Sequence, residues 1–396
     1  MKLTHTLAAV LTAAVTALGT AAPAAADTDA LQLAPGVTLS HFSVPGAAGE
    51  LVTVDLTEPH LSVDLLHPTA VGARERVSSM VARQDAVVGV NADFFNIEES
   101  QHPGVAPTGS SNGPEVTAFH ELKAAVPNSQ RFGPGMAPGT STRDVIGVGA
   151  DGRARLGTLS LAGTVVAGLD QYPVAGLNQY ALSQNSIGVF TSEWGEVSRQ
   201  RAVCGSDARR ADACTDDAAE VLVRHGVVAT IIDTPGVGAI AEGDTVLVGR
   251  EAGADELRML AVGDPVSAHY RLTAGPGVPF RFAVGAAPIL RDGAVLPGVN
   301  ATTVATRTAA GISADGERLF LVTLDGSAES GRGLALAQLA ELLASVGASD
   351  GVNLDGGGST TCAARLPGSD DVTLVNHLAA GASERAVANG IGVFVR

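Results

Sequence analysis

Residues 353–361 (NLDGGGSTT) are the part of the sequence most able to do chemistry, because an acid stands between an apolar run and three glycines. Gly356, Gly357 and Gly358 have no Cβ, so their backbone can approach a ligand closely and present N–H groups to an anion. No lysine follows them, which argues against a Walker-type nucleotide loop. The segment predicts contact with a phosphate or sugar oxygen, or else a tight turn in which Asp355 caps backbone donors.

The elements around this segment indicate where its acid must lie. Residues 318–324 (RLFLVTL) are typical of a buried strand, residues 334–346 carry apolar residues at helical spacing, and residues 352–354 indicate another strand. A strand, a helix and a strand in this order normally form a parallel crossover. Asp325 and Asp355 are therefore expected at the carboxyl ends of neighbouring or nearby strands, the edge where open α/β sheets bind ligands.

Another apolar strand is predicted at residues 86–91, and it delivers Asp93 and Asn96 to its exit. We expect this exit and that of Asp355 to face one pocket. Residues 104–113, which follow, are rich in Gly, Pro, Ser and Thr. This composition predicts an exposed loop over the site or a lid.

Four separated blocks of the sequence resemble the phosphodiester glycosidase family. They are residues 90–96 (VNADFFN), residues 284–293 (VGAAPILRDG), a block that runs from residues 307–312 (RTAAGI) through 324–326 (LDG) to 353–359 (NLDGGGS), and residues 384–390 (ERAVANG). The third block keeps the family order over about fifty residues, which makes it the most specific of the four.

The resemblance implies an enzyme of the glycoside hydrolase type that cleaves the glycosyl–phosphate bond of a sugar-1-phosphodiester in a surface glycan or glycolipid. Such a bond breaks at the anomeric carbon through an oxocarbenium-like transition state, usually between two carboxylates, and Asp93 and Asp355 are the candidate pair. Because phosphate already leaves as a stable anion, cationic stabilisation matters more than protonation. Arg307 is the candidate phosphate clamp and Arg385 the second cation, unless each pairs with a structural carboxylate.

The other candidates are polar groups that would bind the substrate. Asn91, Asn96 and Asn353 would exchange hydrogen bonds with sugar hydroxyls, or else satisfy their own turns. The remaining substrate-binding candidates are Asp325, Gly356, Gly357, Gly358, Ser359, Thr360 and Arg385.

Two other functions stay open at this stage. Asp93, Asp325 and Asp355 could instead hold Ca²⁺ or Mg²⁺ through hard oxygen ligands, although no cofactor is otherwise expected. Such a metal would favour a phosphodiesterase that cleaves at phosphorus. A carbohydrate-binding envelope protein without turnover would keep the same fold.

The N-terminus indicates the compartment of the protein, and the net charge restricts its possible partners. Residues 1–26 begin with Lys2, continue as an apolar run and end in three alanines, which predicts a secretory signal peptide and an extracellular protein. No later segment approaches the roughly 20 apolar residues of a membrane-spanning helix, so no transmembrane anchor is expected. A formal net charge of −16 argues against nucleic acid as a partner, since duplex binding requires a basic patch.

The cysteines fit an exported chain. Cys204 and Cys214 flank a polar loop, which predicts a disulfide that closes it. Cys362 is left over and is expected to be a buried thiol rather than a nucleophile.

These observations predict an α+β fold with a mixed β-sheet core, a βαβ unit near the C-terminus and a β-rich insertion. Residues 27–396 are expected to form one discontinuous phosphodiester glycosidase-like domain, with the insertion at about 135–280. Residues 51–56 and 61–66 alternate around a short polar break, which predicts an antiparallel hairpin.

Overall fold

The computed structural model describes residues 30–275, 277–326 and 331–395, so the predicted signal peptide lies outside the described residues. Within these ranges the chain forms 26 strands and three α-helices, which confirms the predicted strand-rich α+β class. Most strands belong to three sheets. A small fourth sheet pairs β5 (Glu75–Arg76) with β25 (Ala386–Val387).

An eight-stranded sheet contains the predicted βαβ unit. In spatial order its strands are β1 (Leu31–Ala34), β2 (Val37–Val44), β3 (Ala47–Asp55), β21 (Arg318–Leu324), β20 (Thr308–Ile312), β22 (Asp350–Asn353), β18 (Ala287–Arg291) and β19 (Ala294–Val295). Helix α3 (Leu336–Ser345) connects β21 to β22. Strand β20 lies between these two strands and is antiparallel to both, so they run parallel. Asp325, Asp355 and Arg307 consequently reach one edge of the sheet.

Strand β21 is buried on both faces, as its unbroken apolar run predicts. Leu321 joins the core between the sheets, whereas Phe320 and Val322 pack with Leu339 of α3. Gly347 follows the helix at φ +105°, a left-handed conformation that suits glycine after a helix end. The helix predicted at 334–346 is thus confirmed to within two residues.

A five-stranded sheet holds the strand predicted at residues 86–91. In spatial order its strands are β24 (Val372–Leu374), β23 (Cys362–Arg365), β6 (Val88–Asn91), β26 (Gly390–Val395) and β4 (Leu61–Leu66). Helix α1 (Val77–Gln84) packs on this sheet through Met80 and Val81.

The hairpin predicted from residues 51–56 and 61–66 is wrong, although both strands exist. Strand β3 pairs with β2 and β21, while β4 pairs with β26 in the other sheet. Alternating hydrophobicity reports which side chains are buried and not which strand lies alongside. Here the strands diverge because each finds partners that are distant in sequence.

An eleven-stranded sheet forms the rest of the molecule. Its main path runs through β14 (Val227–Ile232), β13 (Ala218–Arg224), β15 (Thr245–Arg250), β12 (Ile187–Phe190), β11 (Asp170–Leu177), β10 (Ala154–Ala167), β9 (Asp144–Gly149), β17 (Phe280–Gly285), β7 (Glu115–Thr117) and β8 (His120–Lys123), and β16 (Val266–Ala274) pairs with β10. Helix α2 (Ala252–Arg258) packs against β13 and β15. Residues 135–280 are therefore rich in strands, but their origin as an insertion remains a prediction.

The predicted disulfide between Cys204 and Cys214 is present. Cys362 is a buried free thiol, and burial raises its pKa, which makes the reactive thiolate less accessible. Among the described residues, no helix is long and apolar enough to cross a membrane.

One buried amide joins the eight-stranded and five-stranded sheets. Asn91, at the end of β6, donates from Nδ2 to the carbonyl of Asp355 over 2.6 Å. Its Oδ1 accepts from Thr308 Oγ1 at 2.8 Å and from the backbone N–H of Thr361 at 3.0 Å. The backbone N–H of Asp355 donates to the carbonyl of Ala92 over 2.7 Å. The exits of β6 and β22 therefore lie against each other.

Replacing Asn91 by alanine should destabilise the fold by about 3 kcal/mol, because it leaves buried donors and acceptors of two sheets without partners. Urea unfolding of the Asn91→Ala protein measures this loss. Gln171→Ala, an exposed amide on β11, is the matched control and should stay within about 0.5 kcal/mol of wild type. Equal unfolding free energies for both variants would contradict the proposed joining role.

Candidate active site

The glycine segment after β22 forms a tight 3₁₀ turn, Gly357–Ser359. A Cβ on Gly356 would lie 2.5 Å from the carbonyl oxygen of Thr306, and one on Gly358 would lie 2.6 Å from Nη2 of Arg385. Gly356 therefore needs to be glycine, because the backbone of Thr306 leaves no room, whereas the flexible end of Arg385 could move away from a side chain at position 358. The groups that approach in this structure are a neighbouring carbonyl and a guanidinium.

Asp355 begins this turn and is linked to a cation through a hydroxyl. The Ser359 side chain and the Gly356 backbone favour the ionised form of its carboxylate, and Arg385 Nη1 donates to Ser359 Oγ over 3.2 Å. Burial raises the pKa of Asp355 to about 6, while the Ser359 hydrogen bond and the Arg385 charge oppose the rise. Asp355 therefore lies beside the turn with an adjacent positive charge, and its capping of backbone donors stays a prediction.

A cavity of about 230 Å³ lies beside the turn. The described residues that line it are Thr306, Gly326, Gly357, Gly358, Thr360, Asn376, His377, Leu378, Ala379, Ala382 and Ser383. The Thr360 hydroxyl is buried and has no hydrogen-bond partner among the described residues. An unpaired buried hydroxyl is costly, so it is a natural position for a ligand or water contact.

Arg307 reaches the same sheet edge but is not among the described residues that line the cavity. Its Nε donates to the carbonyl of Leu334 over 3.2 Å and its Nη2 to that of Thr303 over 3.0 Å. Burial lowers the pKa of the guanidinium. Among the described residues Arg307 forms no ion pair, so its buried charge adds positive potential near the site without a carboxylate to cancel it.

Asp325 holds a histidine that the sequence did not single out. Its Oδ1 accepts from the backbone N–H of His377 at 2.8 Å, and its Oδ2 lies 3.2 Å from Nδ1 of the same ring. The two residues are 52 positions apart, and no spacing rule connects them. Their pairing could be found only from the folded chain.

Asp93 lies in a separate, small recess of about 20 Å³, which Phe94 and Arg131 also line. Its Oδ2 accepts from the Gly113 N–H at 2.6 Å, and its backbone N–H donates to Asn389 Oδ1 over 2.9 Å. Burial raises its pKa to about 7. The described residues therefore do not bring the side chains of Asp93 and Asp355 to one cavity, although their backbones meet.

A buried polar network that sequence reasoning missed surrounds Asp93. Lys123 donates from Nζ to the carbonyl of Gly113 over 2.5 Å, and burial lowers the pKa of this amine to about 8. Glu115 Oε1 accepts from Ser111 Oγ at 2.6 Å and from Asn389 Nδ2 at 2.7 Å. A glutamate and a lysine on two short strands, β7 (EVT) and β8 (HELK), were the available signal.

The prediction that the loop at residues 104–113 is exposed is wrong for its second half. Residues 108–113 are buried, and their polar groups are satisfied mainly inside the protein. Asn96 holds this loop: its Oδ1 accepts from the Thr108 N–H at 2.6 Å, and its Nδ2 donates to Glu99 Oε1 over 2.5 Å. Composition indicated a loop correctly, but hydrogen bonding decides whether a loop is covered.

The candidate asparagines are placed away from the cavity lining that is described. Asn91 joins the sheets and Asn96 fixes a loop, as given above. Asn353 is buried on β22, and its amide N and O have no hydrogen-bond partner among the described residues. We have no physical account of that unpaired amide.

The possible metal site formed by the three aspartates is not assembled. Asp325 contacts His377, whereas Asp93 faces its own recess. Within residues 30–275, 277–326 and 331–395 no group of three or more His, Cys, Asp or Glu side chains could hold a metal ion.

Comparison with known proteins supports the family resemblance. Residues 217–394 match the family described as phosphodiester glycosidase. This match begins inside the segment predicted as an insertion and leaves out the block at residues 90–96. No curated protein sequence matches the chain.

Solved structures show the same fold. A hypothetical protein from Synechocystis is similar, with a TM-score of 0.68 and 21% identity over 93% of this chain, and the chain spans 63% of that protein's length. A protein of Burkholderia pseudomallei K96243, named for its expected export, has a TM-score of 0.66 and 23% identity, with coverage of 90% of this chain and 74% of that one.

The catalytic domain of zebrafish N-acetylglucosamine-1-phosphodiester alpha-N-acetylglucosaminidase, auto-inhibited by its pro-peptide, was also matched. The two chains are 14% identical, and the match covers 93% of this chain and 88% of the zebrafish domain. The TM-score of 0.45 is too low to indicate a shared fold. The match of residues 217–394 confirms that this chain resembles the phosphodiester glycosidase family.

Proposed function

We propose that this chain is an exported hydrolase that cleaves the glycosyl–phosphate bond of a sugar-1-phosphodiester in a surface glycan or glycolipid. The observation that carries the proposal is the link from the Asp355 carboxylate through Ser359 to Arg385, built on the glycine turn that lines the cavity. It combines an acid for the sugar with a cation for the phosphate. The phosphodiester glycosidase match over residues 217–394 supports the same chemistry.

Each group has a proposed role in bond cleavage. Asp355, when ionised, stabilises or attacks the positive charge that develops at the anomeric carbon. Arg385 is exposed beside Gly358 and has spent one donor on Ser359, which leaves others for phosphate oxygens. The departing phosphate then needs charge neutralisation more than a proton.

Arg307 and Asp93 are proposed to contribute from outside the described cavity lining. The buried guanidinium of Arg307 stabilises anions at the sheet edge, because it forms no ion pair among the described residues. Asp93 keeps its proposed role as the second carboxylate, which is supported by the hydrogen bond from the Asp355 N–H to the carbonyl of the preceding residue, Ala92. A side-chain movement or a bound substrate would have to bring it nearer to Asp355.

Export is proposed from two features. The disulfide between Cys204 and Cys214 is typical of oxidising compartments. Residues 1–26 have the pattern of a secretory signal.

The direct test is to incubate the protein without residues 1–26 with UDP-N-acetylglucosamine and with a simple sugar-1-phosphodiester, in the presence and absence of EDTA. Release of free sugar that EDTA does not prevent is expected, because Asp355 and Arg385 supply the required charges. Mass spectrometry and NMR identify the products. Sugar-1-phosphate that disappears on chelation would instead indicate cleavage at phosphorus by a bound metal.

Asp355→Asn should lower kcat/KM by about 100-fold or more while the protein stays folded, because the amide cannot carry the negative charge. Wild-type kcat/KM should fall as the pH drops below about 6, where Asp355 becomes protonated. The matched control is Asp255→Asn, which changes an exposed acid on α2 and should leave the rate unchanged. Wild-type activity in Asp355→Asn would remove this residue from the mechanism.

Asp93→Asn separates a catalytic role from a structural one. Burial raises the folded pKa of Asp93 from its usual 3.8 to about 7, so its contribution to stability is present below pH 3.8 and is lost as the pH rises to about 7. The variant should therefore be more stable than wild type at pH 8, by up to about 4 kcal/mol, as urea unfolding at several pH values would show. A loss of kcat in the same variant would confirm that Asp93 acts as the second carboxylate. An unchanged kcat would exclude that catalytic role.

A further inference from the structure

The ring of His377 is held in one orientation at the wall of the cavity. Asp325 contacts His377 twice. Its Oδ1 accepts from the backbone N–H of His377 at 2.8 Å, and its Oδ2 lies 3.2 Å from Nδ1 of the ring. The carboxylate is almost fully buried, whereas 71% of the His377 side chain is exposed. Because Nδ1 faces Asp325, Nε2 lies on the opposite side of the ring, away from the protein interior.

We propose that His377 is a catalytic residue that accepts the proton of the attacking water through Nε2, and that Asp325 is its positioning residue. The inference rests on the proposed hydrolysis and adds the group that activates water. A carboxylate that fixes one ring nitrogen leaves the other free to act as a base. His377 and the glycine turn line the same cavity, so base and bond would share one space.

The step balances with water alone. The water oxygen forms a bond to the anomeric carbon as the bond from that carbon to its leaving oxygen breaks, and the leaving oxygen keeps the electron pair. That oxygen belongs to phosphate in direct displacement, or to Asp355 if a glycosyl intermediate has formed. The proton passes from water to Nε2 of His377 and then to solvent.

A second observation points to a small polar ligand in this cavity. The buried Thr360 hydroxyl has no partner among the described residues and belongs to the same lining. Next to it, Asn376 donates from Nδ2 to the Thr360 carbonyl over 3.2 Å, which fixes the backbone there.

The charged groups that face His377 come from several strands. Asp325 follows β21, and Glu50 on β3 lies within electrostatic reach of both Asp325 and His377. Burial raises the pKa of Glu50, and its hydrogen bond with His41 opposes the rise. Asp355 precedes the glycine turn and Arg385 contacts Ser359 of that turn, although neither is among the described residues that line the cavity.

His377→Gln should lower kcat by about 100-fold with little change in KM. Because the variant has no imidazole to take up a proton, the pH dependence of its log(kcat/KM) should reflect one ionisable group, Asp355, where that of wild type reflects two. The matched control is His120→Gln. His120, on β8, is also an exposed histidine next to a carboxylate, since its Nε2 lies 3.1 Å from Glu193. This control should keep the wild-type rate and pH profile.

His377→Ala gives a second readout that a structural role would not produce. Added imidazole should restore at least about a tenth of the lost kcat, because the shortened side chain leaves room beside Asp325. Wild-type kcat and pH profile in both His377 variants would overturn the inference while leaving the proposed function intact. An absence of free sugar from wild type would instead refute the proposed function, on which the inference depends.

Discussion

The placement of the glycine turn depends on a single buried amide. Asn91 ends a strand of one sheet and forms hydrogen bonds to the backbone of Asp355 and Thr361 and to the side chain of Thr308. Buried backbone groups must find partners, so these bonds fix how the eight-stranded and five-stranded sheets meet. The junction between the two sheets therefore fixes the position of the cavity wall. The glycine turn that follows supplies the groups proposed to do the chemistry.

Two aspartates at adjacent strand exits show how strongly surroundings change one residue type. Asp355 is half-buried, and a hydroxyl and a guanidinium limit the rise of its pKa to about 6. Asp93 is buried beside a lysine whose own pKa falls to about 8, and its pKa rises to about 7. The half-buried acid is therefore charged near neutral pH, whereas the buried one carries an electrostatic cost inside the fold.

The sequence predicted the parts of the structure that depend on local patterns. The strand, helix and strand that deliver Asp325 and Asp355 follow from short-range periodicity, and the disulfide follows from spacing and compartment. Pairing of β3 and β4 failed because partner choice is a long-range property. The contact of Asp325 with His377 had no local signal for the same reason, and the buried half of the 104–113 loop was hidden by its polar composition.

The antiparallel strand β20 lies between β21 and β22 and therefore sets the distance between them. Neighbouring strands lie about 4.8 Å apart, so the backbones that carry Asp325 and Asp355 are held roughly 10 Å apart by two strand spacings. The distance between these two backbones is therefore fixed by the hydrogen-bond ladder of the sheet, and changes confined to the surrounding loops leave it unaltered.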